Sequence, residues 1–237
     1  MVEYLEHGLS YHVAQELQCQ DDASMTERLE RAFLMADIHS RQLGVTMSGA
    51  TVAICLVKVC FPYNILGGIK NSFDSSTVSC FHSYQRDKTE KNVTLYAANA
   101  GDARIVLGHD GKATRLTKDH RTDDAEEVER IEKAGGFMFK GRVLGVLAVT
   151  RSLGDHCMKA YVIAEPYCQE KSIELTNHCP SFVILACDGL WDVIQDQQAV
   201  DFVLKYQEDK ENISQHLINE ALRRGSTDNI TVVVAWL

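Results

Sequence analysis

The sequence predicts a single α+β domain, and three observations support this prediction. Helical spacing of apolar residues opens the chain, and a series of short strand-like runs begins at residue 51. No repeat, linker or low-complexity tract divides the 237 residues. The composition, 45% hydrophobic and 24% charged, is typical of a globular protein that buries one large core.

Two amphipathic helices are predicted before the first strand. Residues 2–18 have apolar side chains at helical spacing: Val2, Leu5, Leu9, Val13 and Leu17. Ser24 is expected to cap the second helix, and Glu27 is placed to complete a capping box. The predicted buried face of that helix consists of Leu29, Ala32, Phe33 and Ala36.

Strand patterns dominate the middle of the chain. TVAICLVKVC (51–60) and NVTLYAANA (92–100) are strand-like, and the aperiodic residues between them, 61–91, are predicted to form a long insertion. A hairpin follows, with His109-Asp110-Gly111 as its turn. A short helix over 126–134 is expected next, capped by Thr122 or Asp123 and ended by Gly135-Gly136.

The rest of the chain is predicted to mix strands and helices. Short strands are expected around 143–149 and 160–175, followed by a buried strand over 181–187. The helical patterns over 196–206 and 213–224 come next, and Gly225 ends the second. The final residues, NITVVVAWL, predict one more buried strand.

Charge and cysteine usage exclude several functional classes. A net charge of −9 without a Lys/Arg block argues against a nucleic-acid partner. No apolar run approaches the length of a membrane span, so we expect no membrane partner. The 8 Cys form no CxxC pair, which is typical of free thiols in a reducing compartment. We therefore expect a cytoplasmic protein, with the nucleus left open.

Four aspartates lie in corners next to predicted strands: Asp102, Asp155, Asp188 and Asp228. One such corner alone is explained as a turn, because Asp and Gly dominate turns. Several carboxylates at one edge of a core would repel one another unless a cation offset their charge. Mg²⁺ and Mn²⁺ prefer such oxygen ligands. The spacing alone does not show whether the four carboxylates converge.

Eight sequence blocks in order resemble the metal-dependent serine/threonine protein phosphatases, the PPM or protein phosphatase 2C family. The blocks are SGAT (48–51), AANAGDAR (97–104), RLTKDH (115–120), EEVERIEKAGG (126–136), RVLGVLAVTRSLGD (142–155), AEP (164–166), LACDGLWDV (185–193) and GSTDNITVVV (225–234). The resemblance implies a four-layer α-β-β-α fold, in which helices flank a sandwich of two antiparallel β-sheets. It also implies that phosphoserine and phosphothreonine in protein substrates are hydrolysed through a water activated by Mg²⁺ or Mn²⁺.

The resemblance further implies roles for individual residues. Asp188 and Asp228 match the catalytic aspartates that ligate the first metal, and Asp102 is expected to share a further metal site with Asp188. The other matched residues are expected around these ligands. Thr51 contributes a hydroxyl beside the further site, and the side chain of Asn229 braces the loop of Asp228. Arg151 and Asp155 form a structural pair, and Asp192 lies close to the site or is a solvated residue at the start of the next helix.

Family members also have an Arg that binds phosphate, a Glu-Asp pair and a DGHGG segment ahead of the first helix. This sequence contains no DGHG, and Met1-Val2-Glu3 opens directly into the first predicted helix. We therefore expect an N-terminally incomplete domain with impaired catalysis. The alternative is a phosphatase-like regulatory or binding protein. An uncovered sheet edge also predicts a homodimer, unless residues 61–91 fold over the gap.

Overall fold

The computed structural model describes residues 1–60, 91–175 and 179–237. Its helices are α1 (Val2–Gln18), α2 (Met25–Gln42), α3 (Ala125–Lys133), α4 (Asp188–Trp191), α5 (Asp196–Lys205) and α6 (Ile213–Arg223). Its strands are β1 (Gly49–Ala50), β2 (Val52–Cys60), β3 (Lys91–Ala100), β4 (Arg104–His109), β5 (Lys112–Arg115), β6 (Met138–Phe139), β7 (Arg142–Val143), β8 (Leu153–Gly154), β9 (Tyr167–Leu175), β10 (Phe182–Ala186) and β11 (Val232–Trp236). The predicted insertion lies outside the described residues, except that Lys91 already belongs to β3.

Two antiparallel sheets form the centre of the fold. The first has the strand order β2-β3-β9, and the second has the order β11-β10-β4-β5. Alternate residues of each strand point between the sheets, where Leu95 and Ala97 of β3 share an apolar cluster with Ile105, Leu107 and Val183. The predicted sandwich of two antiparallel sheets is therefore confirmed.

Helices cover the outer face of each sheet. Leu29 and Phe33 of α2 pack with α1 and with Ala98 of β3. On the other side, Val203 of α5 and Leu217 of α6 share a cluster with side chains of β10 and β4. These contacts give the predicted four-layer α-β-β-α order. None of the described helices is long and apolar enough to span a membrane.

The capping box predicted for the second helix is present. The Glu27 N–H donates to Ser24 Oγ at 3.3 Å, and the Ser24 N–H donates to Glu27 Oε2 at 2.7 Å. The cap predicted for the third helix is wrong, because Asp124 Oδ1 accepts from the Glu126 N–H at 2.9 Å. Thr122 Oγ1 instead donates to the Gly141 carbonyl at 2.8 Å, so a tertiary contact uses that hydroxyl.

Three predicted strands are shorter than their apolar patterns. Around 143–149 only Arg142–Val143 is a strand, because the left-handed residues Leu144 and Gly145 turn the chain. Residues 160–166 precede β9 and include a turn in which the Tyr161 N–H donates to the Met158 carbonyl. The closing strand begins at Val232, because the residues before it bond the loop after β10.

Candidate active site

Strand register places three of the four acidic corners at one end of the four-stranded sheet. Ala186, the last residue of β10, pairs with Arg104 on one side and with Val232 on the other. Because the pairing is antiparallel, the end of β10 lies beside the starts of β4 and β11. Asp188 follows β10, while Asp102 and Asp228 precede β4 and β11. The structure therefore places these three aspartates at the same end of the sheet.

A close backbone approach joins the corner of Asp188 to the loop of Asp228. A Cβ on Gly189 would lie 2.3 Å from the Asn229 carbonyl oxygen, so only glycine fits there. Ser226 Oγ donates to the Gly189 carbonyl at 2.7 Å. Asn229 holds this loop through its main chain, since its carbonyl oxygen also accepts from Cys187 Sγ at 3.2 Å. Asp188, as the first residue of α4, is thereby fixed beside Asp228.

The corner of Asp102 is fixed by buried polar groups. Gly101 has a φ of +104°, and a Cβ there would lie 2.4 Å from Thr51 Cγ2, so Thr51 lies against the corner through its methyl group. The role predicted for its hydroxyl stays a prediction. Asn99 is fully buried and donates through Nδ2 to the Gly101 carbonyl at 3.0 Å. The His120 N–H also donates to the Gly101 carbonyl, at 3.0 Å. Asp102 is only 7% exposed in this setting.

Burial and neighbouring carboxylates raise the pKa of both Asp102 and Asp188. Burial and the charge of Asp188 raise the pKa of Asp102 to about 6. Burial, followed by the charges of Asp228 and Asp192, also raises the pKa of Asp188. Both shifts are in the direction expected where positive groups offset only part of the negative charge. A divalent cation with oxygen ligands would relieve this repulsion.

Arg121 supplies the positive charge that the sequence analysis missed. Its Nη2 donates to Asp192 Oδ1 at 2.7 Å, and its Nε lies 3.4 Å from Asp102 Oδ2. Asp192 ends α4 rather than starting the next helix, because its N–H donates to the Asp188 carbonyl at 2.9 Å. Arg121 follows the block RLTKDH directly, but a charged residue at that position does not by itself indicate its partners.

Arg151 and Asp155 each fix a loop, but their partners differ. Arg151 Nη2 binds Glu127 Oε1 at 2.6 Å, and its Nη1 donates to the Glu165 carbonyl at 2.9 Å. Asp155 has a left-handed φ of 47° and accepts from Ser152 Oγ at 2.7 Å. Both contacts support the predicted structural role. The sequence analysis gave no role to Glu127, whose only signal was its place on the buried face of α3, one turn before Ile131.

The chemistry of the donor set fits a hard divalent cation. Among the described residues, no three His, Cys, Asp or Glu side chains are close enough together to hold a metal ion as they stand. The oxygens of Asp102, Asp188 and Asp228 are the ligand type that Mg²⁺ and Mn²⁺ prefer, and waters usually complete their shells. The assignment of these three residues as metal ligands stays a prediction.

Comparison with known proteins gives a consistent result. The family model described as "Protein phosphatase 2C" matches residues 71–230. The protein phosphatase 2C homolog 1 of Schizosaccharomyces pombe is 50% identical over 157 residues, which cover 66% of this chain and 44% of that protein. The protein of the same name from Saccharomyces cerevisiae is 38% identical over 225 residues, covering 95% of this chain and 73% of that protein. The chain spans about half the length of several of these curated relatives.

Solved structures share the fold over nearly the whole chain. A phosphatase from a pathogenic strain of Toxoplasma gondii superposes with a TM-score of 0.71 and 25% identity, covering 99% of this chain and 80% of that one. A sex-determining protein of C. elegans also gives a TM-score of 0.71, at 22% identity, over 99% of this chain and 52% of that one. At that identity, the second likeness shows the fold alone.

Proposed function

Because the chain belongs to the protein phosphatase 2C family, we propose that it is a metal-dependent protein phosphatase acting on phosphoserine and phosphothreonine. The observation that supports this most is the placement of Asp102, Asp188 and Asp228 at one end of a sheet. When bound, Mg²⁺ or Mn²⁺ would activate water and offset the charge of the phosphoryl group. Phosphorylated proteins are the corresponding substrates.

The residues of this chain have distinct tasks in that proposal. Asp188 and Asp228 hold one ion from the two sides of the tight Gly189 corner. Asp102, together with Asp188, holds a further, more weakly bound ion beside Thr51. Cys187 is adjacent to Asp188, but its Sγ bonds the Asn229 carbonyl and the Thr231 N–H. That thiol is therefore a structural group and does not serve as a nucleophile.

We propose further that residues 1–237 alone turn over slowly. The sequence contains no DGHG, so part of the ligand set expected of the family is not found in it. A phosphatase-like regulatory protein is the alternative. The presence of both Asp188 and Asp228 favours the enzyme, because a scaffold that only binds partners has no need of two mutually repelling carboxylates.

Hydrolysis of p-nitrophenyl phosphate and of a phosphothreonine peptide tests this proposal. We expect slow turnover with Mn²⁺ or Mg²⁺, none with EDTA, and a further loss in Asp188→Asn because a metal ligand is removed. Asp201→Asn is the matched control, since Asp201 bonds Gln197 on the outer helix α5. Turnover that persists in EDTA would contradict the metal-dependent mechanism. Absence of turnover, with intact Mn²⁺ binding, would favour the regulatory alternative.

We also propose that the chain forms a homodimer through an open sheet edge. Among the described strands, β2 is an edge strand of the first sheet. Val57 and Val59 pair with Leu95 and Val93, so they face the inside of the sandwich, yet they are 45% and 43% exposed. An edge of unpaired backbone groups with apolar side chains is a template for another strand. A second copy of the chain offers an identical strand.

Light scattering at micromolar concentration tests the homodimer. We expect the mass of a dimer for the wild type and of a monomer for Val57→Lys, because an inward-pointing charge blocks edge pairing. Leu222→Lys is the control, since Leu222 is similarly exposed, at 52%, but lies on α6. A wild-type protein that is monomeric under these conditions would refute the self-association.

A further inference from the structure

Arg121 makes two unequal contacts within the carboxylate cluster, by which we mean Asp102, Asp188, Asp192 and Asp228. The contact of Nη2 with Asp192 Oδ1, at 2.7 Å, is a charge-assisted hydrogen bond. Arg121 Nε lies 3.4 Å from Asp102 Oδ2. Nε is buried and has no hydrogen-bond partner among the described residues. The positive charge of Arg121 therefore attracts the Asp102 carboxylate, although the two groups are not hydrogen-bonded.

The backbone of Arg121 is fixed, whereas its side chain is partly open to solvent. Arg121 forms a β-bridge with Val149, and the neighbouring His120 bonds the Gly101 carbonyl through its N–H. The side chains of Arg121 and Asp192 are 31% and 53% exposed. A rotation of the long arginine side chain can thus move Nε away from Asp102 while Asp192 keeps hold of the guanidinium.

We propose that Arg121 is a tethered cation that competes with a divalent ion for Asp102. A guanidinium and a metal ion at one carboxylate repel each other, so the two are bound alternately or at a mutual cost. Arginine does not lose its proton in proteins, so this competition persists over the working pH range. When a metal ion binds Asp102, the longer contact between Arg121 Nε and Asp102 is the one that breaks. Arg121 would therefore set the metal concentration at which the Asp102 site fills.

This inference rests on the proposed function, because it requires Asp102 to be a metal ligand. The test is Mn²⁺ binding, measured by calorimetry, to the wild type, Arg121→Gln, Asp102→Asn and the double variant. We expect Arg121→Gln to tighten Mn²⁺ binding by about tenfold, since a competing charge is removed from contact distance. In the Asp102→Asn background the same substitution should change the affinity by less than about twofold, because the shared ligand is gone.

Two further variants separate competition from other effects. Arg115→Gln removes a neighbouring charge that pairs with Asp196 at 2.8 Å, and we expect it to leave Mn²⁺ affinity within about twofold. Arg121→Lys keeps the charge and is expected to bind Mn²⁺ like the wild type. Equal tightening by Arg115→Gln and Arg121→Gln would overturn the proposal, because it would show a general charge effect.

The outcomes also distinguish this proposal from the proposed function. If Asp102→Asn weakens Mn²⁺ binding but Arg121→Gln does not tighten it, the competition is refuted and the metal site stands. If neither Asp102→Asn nor Asp188→Asn changes Mn²⁺ binding, the metal assignment fails, and both proposals fail with it. Tightening in Arg121→Gln that disappears without Asp102 supports the competition.

Discussion

Replacing Gly189 by alanine is expected to weaken Mn²⁺ binding by at least about tenfold and to destabilise the fold by about 1–3 kcal/mol. The new Cβ would lie 2.3 Å from the Asn229 carbonyl oxygen and 3.1 Å from its carbon, and neither atom belongs to a flexible side chain. The backbone of α4 and that of the 226–231 loop must therefore move apart. Asp188 and Asp228 lie on the two sides of this contact, so they separate with it.

Calorimetry with Mn²⁺ and urea unfolding measure the two effects of Gly189→Ala. Gly225→Ala is the matched control, because Gly225 opens the same loop with a φ of +92° and has open space where its Cβ would lie. We expect this control to cost about 1 kcal/mol through backbone strain and to leave Mn²⁺ affinity unchanged. A Gly189→Ala protein that binds Mn²⁺ as tightly as the wild type would show that the two aspartates do not share an ion.

The parts of the fold that depend on neighbouring residues were predictable from sequence. The capping box of Ser24 and Glu27 spans one helical turn, and the turn at Asp110 and Gly111 uses two left-handed residues that favour it. The cap of α3 was mispredicted because three adjacent residues can cap a helix. Asp124 caps the helix, whereas the Thr122 hydroxyl bonds the Gly141 carbonyl, 19 residues further along the chain.

The candidate site was predictable only in part, because it also depends on contacts between residues far apart in the sequence. Each aspartate at a strand end was visible as a corner, and the resemblance predicted which of them would be metal ligands. Their placement at one end of the sheet depends on the register of β10 against β4 and β11, which no local pattern specifies. The pairing of Arg121 with Asp192 spans 71 residues. Such partners become apparent only when the strands are placed beside one another.

Glu127→Gln is expected to destabilise the protein at neutral pH by about 2–4 kcal/mol. Glu127 is 2% exposed, and its carboxylate binds Arg151 at 2.6 Å and Arg130 at 2.9 Å. Burial alone would raise the pKa of Glu127, but the hydrogen bonds from both arginines outweigh it and lower the pKa to about 2. Loss of the charge leaves two partly buried guanidinium groups without their shared counterion. These groups also bond the Tyr161 and Glu165 carbonyls, so the loop they hold is destabilised as well.

The pH dependence of this effect identifies its cause. Because the folded-state pKa of Glu127 is lowered from 4.5 to about 2, its contribution is complete above pH 4.5 and is lost as the pH falls towards 2. Urea unfolding should therefore show the wild type and Glu127→Gln converging in stability as the pH falls through that window. Glu126→Gln is the adjacent control, since its side chain is 83% exposed, and it should cost no more than about 0.5 kcal/mol. A stability difference that is independent of pH would mean that Glu127 stabilises α3 by packing, with little contribution from its charge.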